Sequence, residues 1–386
     1  MCQLRCSGRN DTLPTNFTMR RRAAYSWERS LDEAVYNRPV TVRALSHSRT
    51  VTLEGVAEVA RVSRATASRV INGDRRVSES ARLAVEDAIR ELGYVPNRAA
   101  RSLVTRRSDS VAVVIPEPSG QLFGDPFFPR ILRGISDELA TESMQLVLLM
   151  PQDRPGESRV ERYLEGGHSD GVLLISLHGS NPLPAGLRRH GIPVVVGGRP
   201  HGDGLTYVDV DNRAGAASAV QHLIDGGRRR VATIAGPQDM AAGVDRLAGY
   251  RERVPGADDG LAEIADFTLD GGRAAMHRLL ERAPDLDAVF VASDLMAIGA
   301  IDALRGAGRR IPDDVAVVGF DDSPLAVTTN PTLSSVRQPI EEMGREMTRL
   351  LIDQIRFPDR APRRVILDTR LVVRGSSGDH PQSGES

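Results

Sequence analysis

Residues 62–78 read VSRATASRVINGDRRVS. The stretch predicts a short helix, roughly 64–71, with unequal sides. Ala65, Thr66, Ser68, Arg69 and Asn72 make a small or polar face, and Ala67, Val70 and Ile71 a slim apolar one. Ser63 offers its hydroxyl as an N-cap, and Asn72-Gly73 stops the run. A helix inside an ordinary bundle would carry more large apolar side chains. A helix lying in the DNA major groove needs the opposite. That groove is about 12 Å wide, so bulk on the outer face holds the backbone off the bases. Small residues let it approach, and arginines reach base edges and phosphates.

The flanks complete a unit. TLEGVAEVA (52–60) sets Leu53, Val56, Ala57 and Ala60 at helical spacing behind Thr52 as N-cap. Ser78 caps a third helix whose Ala81, Val85, Ala88, Ile89 and Leu92 share one face; Glu79 supports its positive end and Gly93 closes it. Three short helices with a tight first turn make a helix-turn-helix unit.

Downstream, short apolar runs alternate with helical segments: VAVVI (111–115), LVLLM (146–150), GVLLI (171–175), PVVV (193–196), VATIA (231–235), AVFVA (288–292) and VAVVGF (315–320). Runs of this kind, spaced by helices, predict parallel strands buried on both faces. Their number over some 260 residues suits two sheets.

VTLEGVAEVARVSRATASRVING, RRVSESAR and ELGYVPNRAARSL resemble the lactose-repressor (LacI/GalR) family of bacterial regulators. The resemblance continues through DPFFPRILRGI, DGVLLIS, VDVDN, RLAGYR, DFT, SDLMAIGA and VVGFDD, covering roughly residues 50–375. It implies an N-terminal all-α helix-turn-helix DNA-binding domain with a hinge helix. Behind these it implies a periplasmic-binding-protein-like α/β core of two subdomains with parallel sheets. The chain would cross between subdomains near 209–211, near 336–339 and again after a helix at 340–356, with a last strand at 365–373 returning to the second subdomain. The domains expected are a basic disordered extension (1–50), the DNA-binding domain (51–96), the hinge (97–107), the effector-binding and dimerisation core (108–375) and a disordered tail (376–386).

The resemblance also assigns contacts. Arg64, Ala65 and Arg69 match base-facing positions; Arg69 could hold guanine through its O6 and N7 atoms. Thr52, Ser63, Thr66, Ser68 and Asn72 lie at or beside helix starts and backbone-contacting positions, where hydroxyls and N–H groups suit phosphates. In NRAARSLVT (97–105), Leu103 matches the leucine that wedges between base pairs in the minor groove, with Asn97 and Ala100 as its neighbours. Asp125, Phe127, Phe128, Arg246, Phe267, Asp294 and Asp321 match positions that line the effector cleft. The types are coherent: carboxylates and an arginine hydrogen-bond sugar hydroxyls while aromatic faces cover the apolar CH surface. Pentose, hexose, disaccharide and nucleoside effectors all remain open.

Two positions depart from the family. Arg61 stands where the turn usually has Gly, at roughly 1–2 kcal/mol for a left-handed backbone. Gly55 sits inside the first helix, at about 1 kcal/mol against Ala. Both predict a less stable DNA-binding unit. The segment between Tyr250 and Asp266 is also several residues shorter than usual.

Composition bounds the rest. The 386 residues exceed one ordinary domain. No run of about 18 apolar residues occurs, and no apolar segment precedes a cleavage site near the start. The cysteines, Cys2 and Cys6, lack further zinc ligands. These features point to a cytoplasmic, nucleoid-associated protein. The net charge of −1 hides a basic front: nine Arg against four acids in 1–50, eleven against seven in 51–107, thirty against forty after that, and no lysine. A polyanion partner for the front follows. No Walker loop, nucleophile elbow or metal spacing calls for an enzyme, a cofactor or a metal. The reading is a homodimeric regulator, not an enzyme, that represses carbohydrate-use genes at a near-palindromic operator and answers to a sugar. The other reading, a cytoplasmic sugar-binding protein or sugar-acting enzyme with an appended helical domain, leaves 51–105 unexplained.

Overall fold

The computed structural model describes residues 51–71, 73–74, 76–94, 107–151, 153–254, 256 and 259–378. The expectations for 1–50, for Asn72 and for the hinge with Asn97, Ala100 and Leu103 lie outside them. The chain divides into two units, Met1–Pro96 and Asn97–Ser386.

In the first unit α1 (Leu53–Val59) is capped by Thr52, whose hydroxyl accepts from Gly55 N at 3.3 Å. Ser63 caps α2 (Arg64–Ile71), accepting from Thr66 N at 3.0 Å. Ser78 caps α3 (Glu79–Leu92), and Gly93 closes it at φ 60°. The core is small: Val56, Ala57, Ala60, Ala67, Val85 and Ala88 are buried, and Val70, Ile71, Ile89 and Leu92 pack around them. Arg61 does adopt a left-handed backbone, φ 52°, because the turn directs the Val62 N–H back to the Ala57 carbonyl at 3.0 Å. Glycine takes this conformation without a Cβ clash. Arg61→Gly is therefore expected to stabilise the N-terminal unit by about 1 kcal/mol. A thermal melt followed by amide exchange in α1–α3 would show it, and an unchanged exchange rate would refute it.

The second unit holds two six-stranded sheets among the described residues. The first sheet takes β1 (Ser110–Val114), β2 (Gln145–Leu149), β3 (Gly171–Ile175), β4 (Val194–Gly197), β5 (Thr206–Val210) and β11 (Arg364–Leu367), in the order β11-β5-β4-β3-β1-β2. The second takes β6 (Val231–Ala235), β7 (Ala262–Ile264), β8 (Ala288–Val291), β9 (Ala316–Asp321), β10 (Ser334–Arg337) and β12 (Arg370–Val372), in the order β12-β10-β9-β8-β6-β7. Every pairing is parallel except β10 with β12. Strands β1, β3, β6, β8 and β9 are buried throughout, as their unbroken apolar runs require. Helices cover both faces of each sheet. On the first these are α4 (Ser119–Gly124), α5 (Phe127–Thr141), α6 (Arg154–Glu165), α7 (Leu183–Arg189) and, from the far end of the chain, α12 (Ile340–Arg356). On the second they are α8 (Asn212–Asp225), α9 (Ala241–Arg253), α10 (Leu269–Arg282) and α11 (Asp294–Gly306). None of the described helices is long and apolar enough to cross a membrane.

The chain crosses between subdomains after β5 and after β10, as expected. The third crossing needs a correction. The segment 365–373 is not one strand: β11 closes the first sheet, and after Asp368 and Thr369 β12 joins the second. The tail boundary also moves. Ser376 and Ser377 are buried, with the Ser376 hydroxyl donating to the Val317 carbonyl at 2.6 Å and the Ser334 and Ser377 hydroxyls 2.7 Å apart. The core therefore runs past 375, because these serines satisfy polar groups at the starts of β9 and β10.

Helix pairs approach closely where both partners offer glycine. A Cβ on Gly134 of α5 would strike the Glu341 carbonyl of α12, and one on Gly344 the Ile131 carbonyl of α5. Gly272 and Gly299 lock α10 to α11 in the same way. Each subdomain is thus a rigid, closely packed body.

Candidate functional site

In the first unit, α2 presents Arg64, Ala65 and Arg69 to solvent while Ala67 faces the core. The face predicted for DNA is thus open. Arg64 leans back to Glu54 of α1, with Nε 2.6 Å from its carboxylate. Ser63 and Thr66 hydroxyls share a 2.8 Å hydrogen bond.

In the second unit a cleft opens between the subdomains at the carboxyl ends of β1, β3, β4, β6, β8 and β9. Open α/β sheets place ligands there. Two adjoining cavities share Phe127, Ser176, Met240, Ala242, Arg246 and Gln338; the larger spans about 920 Å³ when its open mouth and the solvent space in front of it are included. Six of the seven predicted cleft residues line them: Asp125, Phe127, Phe128, Arg246, Phe267 and Asp321.

Arg246 is the hub. It is only 5% exposed, and burial pulls its guanidinium below its ordinary value against the nearby charges of Asp321, Asp209, Asp294 and Asp125. Nε donates to Asn212 Oδ1 at 2.8 Å, Nη1 donates to the Ala292 carbonyl at 2.6 Å, and Nη1 lies 3.6 Å from Asp321. Its plane rests 3.7 Å from the Phe320 ring centroid. Asn212 in turn donates to Asp209 at 2.9 Å, and Gln338 donates to Asp321 at 2.6 Å. A continuous polar floor therefore joins the first chain crossing (Asp209, Asn212) to the second (Gln338). Burial raises the carboxyls of Asp125, Asp209 and Asp321. Phe267, at φ 62°, still reaches the cleft on its shortened segment. Its ring fills the space over Gly236 and lies 5.8 Å from the Arg246 guanidinium carbon. Phe127 and Phe128 pack edge to face at 5.4 Å.

Asp294 is the exception and corrects the expectation. It is 1% exposed and does not line the cavity; its neighbour Ser293 does. Its oxygens face the Ser323 N–H and the Ser335 hydroxyl, each at 2.6 Å, so it ties α11 to the loop after β9. A helix N-terminus turns adjacent residues to opposite sides, and only the fold decides which side faces the ligand. Burial lifts the Asp294 carboxyl to about 7. The folded state then holds a proton that the unfolded state, near 3.8, has released, so stability falls as pH rises from about 4 to 7. Asp294→Asn mimics the protonated acid. It is expected to remove about 2–3 kcal/mol of the stability difference between pH 5 and pH 8, at 1.36 kcal/mol per pK unit. Urea titrations of both proteins at those pH values check this; equal slopes would sink it.

Asp209, Asn212, Gln338, Ser176 and Ser293 were not singled out from the sequence. VDVDN contains the first two, and the signal was their place at a crossing.

Comparison with known proteins agrees with this layout. The model of bacterial regulatory proteins of the lacI family matches residues 52–97, and that of a periplasmic binding protein-like domain matches 220–377. The chain is 52% identical over 339 residues to the HTH-type transcriptional regulator CelR of Thermobifida fusca, covering 86% of this chain and 100% of the relative. It is 35% identical over 335 residues to the ribose operon repressor of Escherichia coli K12, covering 84% and 99%. The solved transcriptional regulator CelR–cellobiose complex matches at TM-score 0.68 and 51% identity, covering 84% of this chain and 99% of that one.

Proposed function

The chain belongs to the lacI family of bacterial regulatory proteins and is a DNA-binding transcriptional regulator, and from that premise we propose that it represses carbohydrate-use genes under the control of a cellobiose-like sugar held in the interdomain cleft. The observation that carries this is the meeting of Asp125, Asp321 and Arg246 with the Phe127, Phe128 and Phe267 rings around one cavity. Carboxylates and a guanidinium bind paired hydroxyls, and the rings cover the CH faces of a pyranose. CelR, half identical to this chain, was solved with cellobiose.

In this reading Arg64, Ala65 and Arg69 face bases. Thr52, Ser63, Thr66, Ser68 and Asn72 hold the backbone, and Asn97, Ala100 and Leu103 enter the minor groove. The protein works as a cytoplasmic, nucleoid-associated homodimer on a near-palindrome, since twofold protein symmetry imposes twofold DNA symmetry. Residues 51–96 read DNA, 97–107 relay, and the core from 108 binds effector and partner. The test is an operator titration of the full chain, at one salt concentration, with and without cellobiose, glucose or ribose. A shift with cellobiose is expected. An operator affinity indifferent to all three sugars overturns the effector assignment, and a footprint on one asymmetric half-site overturns the dimer.

A further inference from the structure

The outer rim of the cleft carries a charged cluster that the sugar-binding floor does not use. Glu117, just after β1, is 3% exposed. Its Oε1 accepts from the Ser176 hydroxyl at 2.5 Å and lies 3.0 Å from His178 Nε2. The other ring nitrogen, Nδ1, lies 3.0 Å from Asp239 Oδ2. Glu117, Ser176 and His178 belong to the first subdomain, whereas Asp239 sits in the loop after β6 of the second. The Gly179 N–H donates to the Asp239 carbonyl at 2.8 Å, and His201 Nε2 lies 3.5 Å from the same oxygen. Beside them Arg199, after β4, places Nη2 2.6 and 2.7 Å from the two Asp245 carboxylate oxygens on α9. Gly179, Arg199, His201 and Met240 all line the cavity, so these bridges run along its edge.

We propose that the grip of His178 and Gly179 on Asp239, seconded by Arg199 on Asp245, is a strap across the cleft that gates the passage of the effector. The proposal rests on the cleft being the effector site. Both imidazole nitrogens face carboxylate oxygens, and only the doubly protonated ring donates from both. The ring is therefore a fixed cation clamped between a buried carboxylate on one subdomain and an exposed one on the other. Glu117 and then Asp239 hold its protonation up to about 9, against burial, which opposes it. The strap is complete below the ordinary value of 6.5 and loosens as pH rises through about 9. It is not a switch at neutral pH; it is a standing barrier that each ligand must wait to open.

The experiment uses the full chain. Stopped-flow exchange of cellobiose is measured for the wild type, Asp239→Asn, Asp239→Ala and His178→Gln at pH 7 and pH 10. The variants are expected to release the sugar roughly tenfold faster, equivalent to about 1.4 kcal/mol, and to take it up faster as well. The dissociation constant then moves less than either rate. The wild type should speed up between pH 7 and 10, and the variants should not. Independently of any ligand, the His178 ring titration is followed by NMR. It is expected near 9 in the wild type and lower in Asp239→Asn. Unchanged rates in the variants, or a wild-type His178 titrating near 6.5, overturn the strap. If cellobiose does not bind the wild type, the effector reading fails and the ring titration alone decides the strap.

Discussion

Arg246→Ala is expected to abolish the response to effector and to lower the stability of the core by roughly 3–5 kcal/mol. The guanidinium is a buried cation on the cavity floor, and Asp321 stands 3.6 Å away with burial already raising its carboxyl. Without the arginine, Asp321 must take up a proton or stay charged with no counter-ion. Asn212 Oδ1 and the Ala292 carbonyl lose their donor, adding desolvated acceptors to the loss. Arg246→Lys should rescue little, since an ammonium cannot reproduce the planar fork or its stacking on Phe320. Urea unfolding gives the stability change, and operator titrations with and without cellobiose give the coupling. A variant that unfolds at the wild-type midpoint, or responds at the same sugar concentration, would show that the floor of the cleft lies elsewhere.

Arg69→Ala is expected to weaken operator binding by roughly 1–3 kcal/mol in each half-site, a bidentate guanine contact being worth that much. Two half-sites make the loss about 30-fold to 2 × 10⁴-fold for the dimer. Arg64→Ala should cost less, because part of its reach is already given to Glu54 in an exposed pair. Titrations on the operator and on a scrambled duplex at one salt concentration separate the two terms. Equal losses on both duplexes would make Arg69 a phosphate contact and move base reading to other residues.

The helix-turn-helix was legible in the sequence because its signals are local: three capping hydroxyls, Gly93 and a periodic apolar face all sit within the helices they govern. Even the strain at Arg61 could be read, since one residue sets it. The seven apolar runs became strands for the same reason. What escaped was non-local. AEI and SSVR are too short and polar to announce strands, and they become β7 and β10 because a neighbour's edge pairs with them. The break of 365–373 into two strands follows from two sheets competing for one segment. At the cleft, residue types pointed to six lining side chains but not to the turn of α11 that swaps Asp294 for Ser293. Nothing in the sequence brings Glu117, His178 and Asp239 together; three separate strand ends do.

The triple crossing has a consequence for how the protein is made. The second subdomain is almost contiguous, from Asn212 to Arg337, and lacks only β12 and the serines beyond it. The first is split: β5 ends at Val210, but α12 begins at Ile340 and β11 ends at Leu367. On the ribosome some 130 residues separate Val210 from the helix that covers α5. At roughly 5–20 residues per second that is an interval of about 6–26 s. Through it the glycine-notched, apolar side of α5 is born without its partner. The subdomain synthesised first thus waits longest for a covering helix, and nascent-chain chaperones have their longest opportunity on the face that α12 will close.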